Sequence, residues 1–245
     1  MSFLKLIVLE EGTDLTELLK ISHYEIQIPA QLQGQIKGNF PEFLHKTDEQ
    51  RINTYLDVLK RHEGKMVVAC EKCDGTSASY YFSNGIFGVC SRNLELKEDE
   101  TNTYWKIARE LQLEEKLKKL GRNLGIQGEA LGPGIQKNKY TLANVQLKIF
   151  NIFDIDKGWY LEYDDMVTLA NQLQLDLVPF IDRFKLNHTV EQLVEMSKGY
   201  SQLNSKVLRE GLVFRVTPNE YDPDLYGRAS WKAINPEFLL KYDSE

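Results

Sequence analysis

Lys72 and Asp74 stand two residues apart in the stretch EKCDGTSASYYF, and Gly75 follows at once. The apolar run Met66-Val67-Val68-Ala69-Cys70 precedes them, and Tyr80, Tyr81 and Phe82 keep the chain β-prone afterwards. Residues two apart on a strand face the same side. The spacing therefore predicts an amine and a carboxylate together at the end of a buried strand. Gly75 allows backbone or ligand to come close. Taken alone, Lys-x-Asp-Gly is equally compatible with a surface ion-pair turn. Cys70 and Cys73 form a C-x-x-C spacing, which invites a zinc or redox reading. Only Cys90 remains as a third cysteine, and His23, His45, His62 and His188 show no ligand spacing. The cysteines are expected to be small strand residues beside something else.

Other candidates follow in order along the chain. Arg92 lies in CSRN, Glu129 in QGEALGPG, Phe153 with Asp154 in FNIFDI, Glu210 in REGLVFR and Lys232 in SWKAIN. Each is a polar or aromatic residue at a predicted strand end, where sites are commonly built. Any one of them would more often be structural. Six in this order are hard to obtain by chance.

Strands are predicted around residues 66–72, 78–83 and 85–90, with Asn84-Gly85 as a hairpin turn. A helix is expected over TDEQRINTYLDVLKRHEG, capped by Thr47 with Gln50 and stopped by Gly64. A second is expected over TNTYWKIARELQLEEKLKKLGRN, ending at Gly121. EYDDMVTLANQLQL and HTVEQLVEMSKG read as short helices, and LKIFNIFDIDKGWYL has strand character on both sides of Asp154. Strands and helices interleave without a regular β-α-β repeat, which implies an α+β fold with antiparallel sheets.

The chain has 245 residues, 30 Lys and Arg against 36 Asp and Glu, a net charge of −6 and 42% hydrophobic residues. That is enough for one large domain, or one with a small appendage. The acidic balance disfavours coating nucleic acid by bulk charge, but a local basic groove needs only a handful of Lys and Arg. No apolar run approaches the ~20 residues of a membrane span, and the first residues lack a signal-peptide core. The chain reads as intracellular.

The quoted motifs resemble those of the covalent nucleotidyltransferases, and among them the ATP-dependent RNA ligases of the RNA ligase 2 type. EKCDGTSASYYF is similar to the family's nucleophile motif, and SRN, GEALGPGIQK, FNIFDI, EGLVFR and SWKAIN to the five that follow. The resemblance covers roughly residues 35–245. It implies a nucleotidyltransferase fold, ATP-grasp-like, with antiparallel sheets flanked by helices. FPEFLHKTDEQRINTY resembles the lead-in of RNA ligases that carry an N-terminal OB-type domain, so residues 1–34 are expected to be a lead-in or remnant of one. Two positions depart from the pattern. Ile234 stands where the family often has a second lysine, and Ser77 where some relatives have asparagine.

The resemblance implies three nucleotidyl transfers. Lys72 attacks the α-phosphorus of ATP, AMP passes from lysyl-AMP to an RNA 5′-phosphate, and an RNA 3′-hydroxyl closes the phosphodiester, as in RNA repair. Lys72 must then supply a neutral amine, which burial and nearby positive charge would favour. Lys232 supplies charge at the phosphate. Asp74, Glu129 and Glu210 are implied to hold a hydrated Mg2+ or Mn2+. Asp74 is also a candidate to orient the lysine, and Glu129 to touch the ribose. Phe153 is implied to stack on adenine, backbone groups of Glu71 to meet the base edge, and Arg92 to hold phosphate or ribose. The partners implied are RNA ends, met by a monomer away from any membrane. A DNA ligase, a GTP-using capping enzyme and a non-catalytic nucleotide- or RNA-binding module remain the alternatives.

Overall fold

The computed structural model describes residues 14–17, 19–20 and 34–242. The chain divides into two units, Met1–Gly34 and Gln35–Glu245. In the first, the Leu19 amide donates to the Leu15 carbonyl at 2.9 Å, closing a turn. The OB-type remnant expected there falls mostly on residues outside those described.

The second unit begins with β1 (Ile36–Asn39), β2 (Gln50–Arg51), α1 (Leu56–Arg61), β3 (Met66–Lys72), β4 (Thr76–Ser83), β5 (Ile86–Cys90) and β6 (Leu94–Leu96). Helices α2 (Thr103–Glu110) and α3 (Leu113–Leu120) lead to β7 (Leu124–Leu131), β8 (Gln146–Asp154), β9 (Trp159–Tyr160) and α4 (Tyr163–Gln172). Then come β10 (Phe180–Lys185), α5 (Val190–Ser197), β11 (Gly211–Thr217), β12 (Tyr221–Asp222), β13 (Gly227–Arg228), β14 (Ser230–Ile234) and α6 (Pro236–Tyr242).

The described residues form a seven-stranded sheet in the order β1-β6-β5-β4-β7-β8-β9 and a five-stranded sheet in the order β10-β3-β11-β14-β2. Neighbours run antiparallel, except that β14 and β2 are parallel. This is the α+β arrangement that the sequence implies. The outer face of the first sheet packs Tyr80, Ile126 and Ile149 against Trp105, Leu113 and Leu117 of α2 and α3. One face of the second sheet buries Val67, Ala69, Phe214 and Trp231 with Leu193 of α5. The alternation of β3 puts Val68, Cys70 and Lys72 on its other face, toward a third cluster with Leu131 and Tyr140.

Asn84 and Gly85 both take positive φ, 51° and 82°, as a tight hairpin of right-twisted strands demands. Two helical expectations change. The segment expected as one helix from Thr101 to Gly121 breaks at Gln112, φ 53°, so that Trp105 and Leu113 both enter the same core. Its cap is the Asn102 side chain, which accepts from the amides of Tyr104 and Trp105. The helix expected from Thr47 shrinks to α1. Thr47 and Gln50 make no capping box; Thr47 instead shares a hydrogen bond with Ser77 at 2.9 Å. Gln50 and Arg51 pair with Trp231 and Lys232. A sheet edge offered by distant residues outweighs the local helix signal.

Candidate active site

A cleft of about 320 Å³ lies where the two sheets are joined. Strand β3 ends at Lys72 in one sheet and β4 begins at Thr76 in the other, so the turn Cys73-Asp74-Gly75 crosses between them. Lys72, Asp74, Arg92, Glu129, Glu210 and Lys232 all border the cleft. The structure therefore gathers six residues spread over 160 positions of sequence (232 − 72).

Register does most of this. Lys72 pairs with Gly211, which pairs with Ile234. Two residues on, Cys70, Val213 and Lys232 form the next row on the same face. Glu210 follows from the end of that ladder, and its Oε1 accepts from Lys72 Nζ at 2.7 Å. Two glycines allow the close approach. A Cβ on Gly211 would lie 2.3 Å from the Ala233 carbonyl oxygen, and one on Gly75 2.3 Å from that of Ala130. Because Gly75 can lie against β7, its amide reaches Glu129 Oε1 at 3.2 Å. Asp74 arrives differently from the expectation. It lies beyond the strand end, held in the turn by its amide, which donates to Tyr140 Oη at 2.8 Å, and by an ion pair with Lys139.

The electrostatics are those of a buried acidic cluster. Burial pushes the Glu129 carboxyl up to about 8; Glu210 and Asp74 push the same way, against Lys72 and the Gly75 amide. Burial also raises the Glu210 carboxyl, opposed by Lys72. For Lys72 itself, burial acts to lower the ammonium pKa, but Glu210, Glu129 and Asp74 outweigh it and the net direction is up. The neutral amine expected of Lys72 thus depends on the positive charge that a bound cation and Lys232 would set against these three carboxylates. Lys232 is lowered, by burial and then by the like charge of Lys72.

Among the described residues, no three His, Cys, Asp or Glu side chains stand close enough to hold a bare metal ion. Asp74, Glu129 and Glu210 nevertheless suit a hydrated cation. They are hard oxygen donors around one cleft, and Glu210 Oε2 is buried without a hydrogen-bond partner, a position that a metal-bound water can satisfy. Cys70 and Cys73 are buried, and burial raises both thiols. They pack as small core residues.

Three expected contacts look different in place. Phe153 is 1% exposed and packs against Tyr160, His45 and Leu44; the aromatic bordering the cleft is Phe150. A bulge at Phe150, where Gln127 pairs with Asn151 and Gly128 with Ile149, breaks the alternation of β8, so that Ile149 and Ile152 share one core despite their opposite parity. Glu71 does border the cleft, with its amide donated to the Pro179 carbonyl at 2.8 Å. Its carboxylate lies on the opposite face, accepting from the Ser201 hydroxyl and the Gln202 amide. Arg92 stands exposed at the rim, 2.5 Å from Asp48.

The family model described as RNA ligase matches residues 65–234. The chain belongs to the RNA ligase family. Among solved structures, Naegleria gruberi RNA ligase with pyrophosphate is similar at TM-score 0.80 and 38% identity, covering 96% of this chain and 68% of that one. Mutants of the same enzyme with ATP and Mn, and with AMP and Mn, give the same figures. No curated protein matches.

In this RNA ligase the cleft and the shell of residues around it include side chains that sequence reasoning passed over. Arg215 borders it, and the period-two step from Val213 would have put it there. Arg215 and the buried Arg228 approach one carboxylate, Glu49, at 3.7 and 3.6 Å. Arg51 pairs in register with Lys232, hidden in a stretch that reads locally as helix. Lys139 and Tyr140 come from the Gly/Pro loop after β7, where no local pattern announces a contact with Asp74.

Proposed function

We propose that Lys72 is the nucleophile that carries AMP, with Glu210 and Asp74 beside it and Lys232 across the cleft. The protein is an ATP-dependent RNA ligase. The observation that carries the residue assignment is Lys72 at the cleft floor, hydrogen-bonded to Glu210 at 2.7 Å between the two sheets. Glu210 Oε1 is placed to hold the proton that Lys72 must lose before its lone pair attacks the α-phosphorus of ATP. Pyrophosphate leaves and the Nζ–P bond forms. An RNA 5′-phosphate oxygen then displaces Lys72 from AMP, and a 3′-hydroxyl displaces AMP from the adenylated end.

Lys232 presents its ammonium to the phosphate side of the cleft, and Arg92 at the rim can trade Asp48 for a nucleotide or RNA phosphate. Phe150 and Val178 offer an apolar wall for adenine. Asp74, Glu129 and Glu210 would hold Mg2+ or Mn2+, which when bound supplies positive charge against the carboxylates and the phosphate oxygens. One chain brings the full set together, which supports action as a monomer on RNA 5′-phosphate and 3′-hydroxyl ends. The test is an intact mass of the protein after incubation with ATP and Mn2+, followed by peptide mapping. One AMP on Lys72 is expected; AMP on another residue overturns the assignment.

A further inference from the structure

We propose that Lys139 is a positioning residue for adenylylation of Lys72, acting through Asp74. The inference rests on the reading of Lys72 as nucleophile. Lys139 Nζ is paired with the Asp74 carboxylate, and both side chains are 16% exposed. The same ammonium lies 5.7 Å from the Phe238 ring centroid and 5.6 Å from that of Tyr242, within cation–π range of both. Helix α6 thus fixes the lysine from one side and the nucleophile turn from the other. The next residue, Tyr140, accepts the Asp74 amide at 2.8 Å. Asp74 is therefore gripped twice, at backbone and side chain, by consecutive residues of one loop.

The loop is built for that grip. Its backbone runs through the left-handed region at Gln136, Lys137 and Asn138, φ 43°, 56° and 47°, and again at Thr141, φ 53°. Such conformations in non-glycine residues are unfavourable and persist where the surroundings enforce them. Here the Asn138 side chain bonds the Leu142 amide and carbonyl, and Asn204 bonds the Tyr140 carbonyl. Gln136 borders the cleft, and three residues later the chain delivers Lys139 to Asp74. Pairing with Lys139 fixes where the Asp74 carboxylate points and offsets its charge, so that Glu210 remains the carboxylate bonded to Lys72. A nucleophile held only by the turn would sample more positions, and misplacement of a reacting group by about 1 Å can lower a rate by up to about a hundredfold.

The experiment is single-turnover adenylylation with labelled ATP on the wild type, Lys139→Met, Lys139→Arg, Asp74→Asn and the Asp74→Asn/Lys139→Met double variant, each checked by circular dichroism for folding. Lys139→Met is expected to lower the maximal rate by about tenfold to a hundredfold, with the ATP concentration for half-maximal rate changed less than about threefold. Lys139→Arg, which keeps the charge, should recover part of the rate. The double variant should be no slower than Asp74→Asn alone, because residues acting as one unit are non-additive. Wild-type rates in folded Lys139→Met, or a double variant in which the two losses multiply, would overturn the proposal. If the wild type itself takes no label, or Lys72→Ala does, the underlying reading of Lys72 fails instead.

Discussion

Lys72 Nζ and Glu210 Oε1 lie 2.7 Å apart at adjoining strand ends of one sheet, 138 residues apart in sequence. Neither carries a free charge: the ammonium is matched by a carboxylate whose second oxygen is buried and unpartnered. The contact makes Lys72 addressable in a way that its position in the sequence does not. Lys72→Ala is expected to abolish transfer of AMP from ATP to protein without unfolding the chain. The same variant should still join RNA that already carries a 5′-adenylate, because that step breaks no bond to lysine. A gel assay with labelled ATP and with pre-adenylated RNA checks both halves.

Glu210→Gln keeps the shape of the side chain and removes its charge. Adenylylation is expected to fall at least about a hundredfold, the range seen when one preorganised electrostatic contact is lost. A higher Mn2+ concentration should recover part of it if the carboxylate helps hold the cation. Unchanged adenylylation at low Mg2+ would remove Glu210 from the site.

The two phenylalanines of β8 separate binding from stability. Phe153→Ala empties a fully buried position and should destabilise by about 3–5 kcal/mol. Phe150→Ala should cost less stability but raise KM for ATP by about tenfold, through loss of the apolar wall. Urea melts and an ATP titration of each variant give the comparison. The reverse pattern would return adenine to Phe153.

Gly75→Ala tests the crossing between the sheets. Its new methyl would meet backbone, the Ala130 carbonyl, at 2.3 Å, so the turn must move. A loss of about 1–3 kcal/mol is expected, together with loss of the Glu129 contact and of adenylylation. A thermal melt and the labelling assay on one preparation decide it.

Away from the cleft, Asp222 is buried and pairs with Arg61 at 2.6 Å and with His62 at 2.7 Å. Burial acts to raise its carboxyl, but the bonds from Arg61 and His62 prevail and it is lowered. A lowered carboxyl adds stability above its unfolded value near ~3.9 and loses it as pH falls through the folded value. Asp222→Asn should therefore cost about 1.5–3 kcal/mol at pH 7. The gap from wild type should narrow as pH falls below the unfolded value and on through the lower folded one. Denaturant midpoints across that range measure it; a gap that persists in acid would assign the loss to shape instead of charge.

The sequence by itself determined the strands that bear the site, because their cues are local. Apolar runs give β3 and β11, Asn84-Gly85 the hairpin, and short motifs the placing of Lys72, Glu129, Glu210 and Lys232 at or near strand ends. Parity alone is enough to say that Cys70 and Lys72 share a face. The tertiary structure decided what those residues meet. Gln50 and Arg51 leave a local helix pattern for the edge of β14, and Phe150, not Phe153, borders the cleft. Lys139 reaches Asp74 across 65 residues of sequence. The charge of Lys72 is likewise a tertiary property. Glu210, Glu129 and Asp74 together act on it in a partly buried cleft, and two of these three carboxylates lie far from Lys72 in sequence.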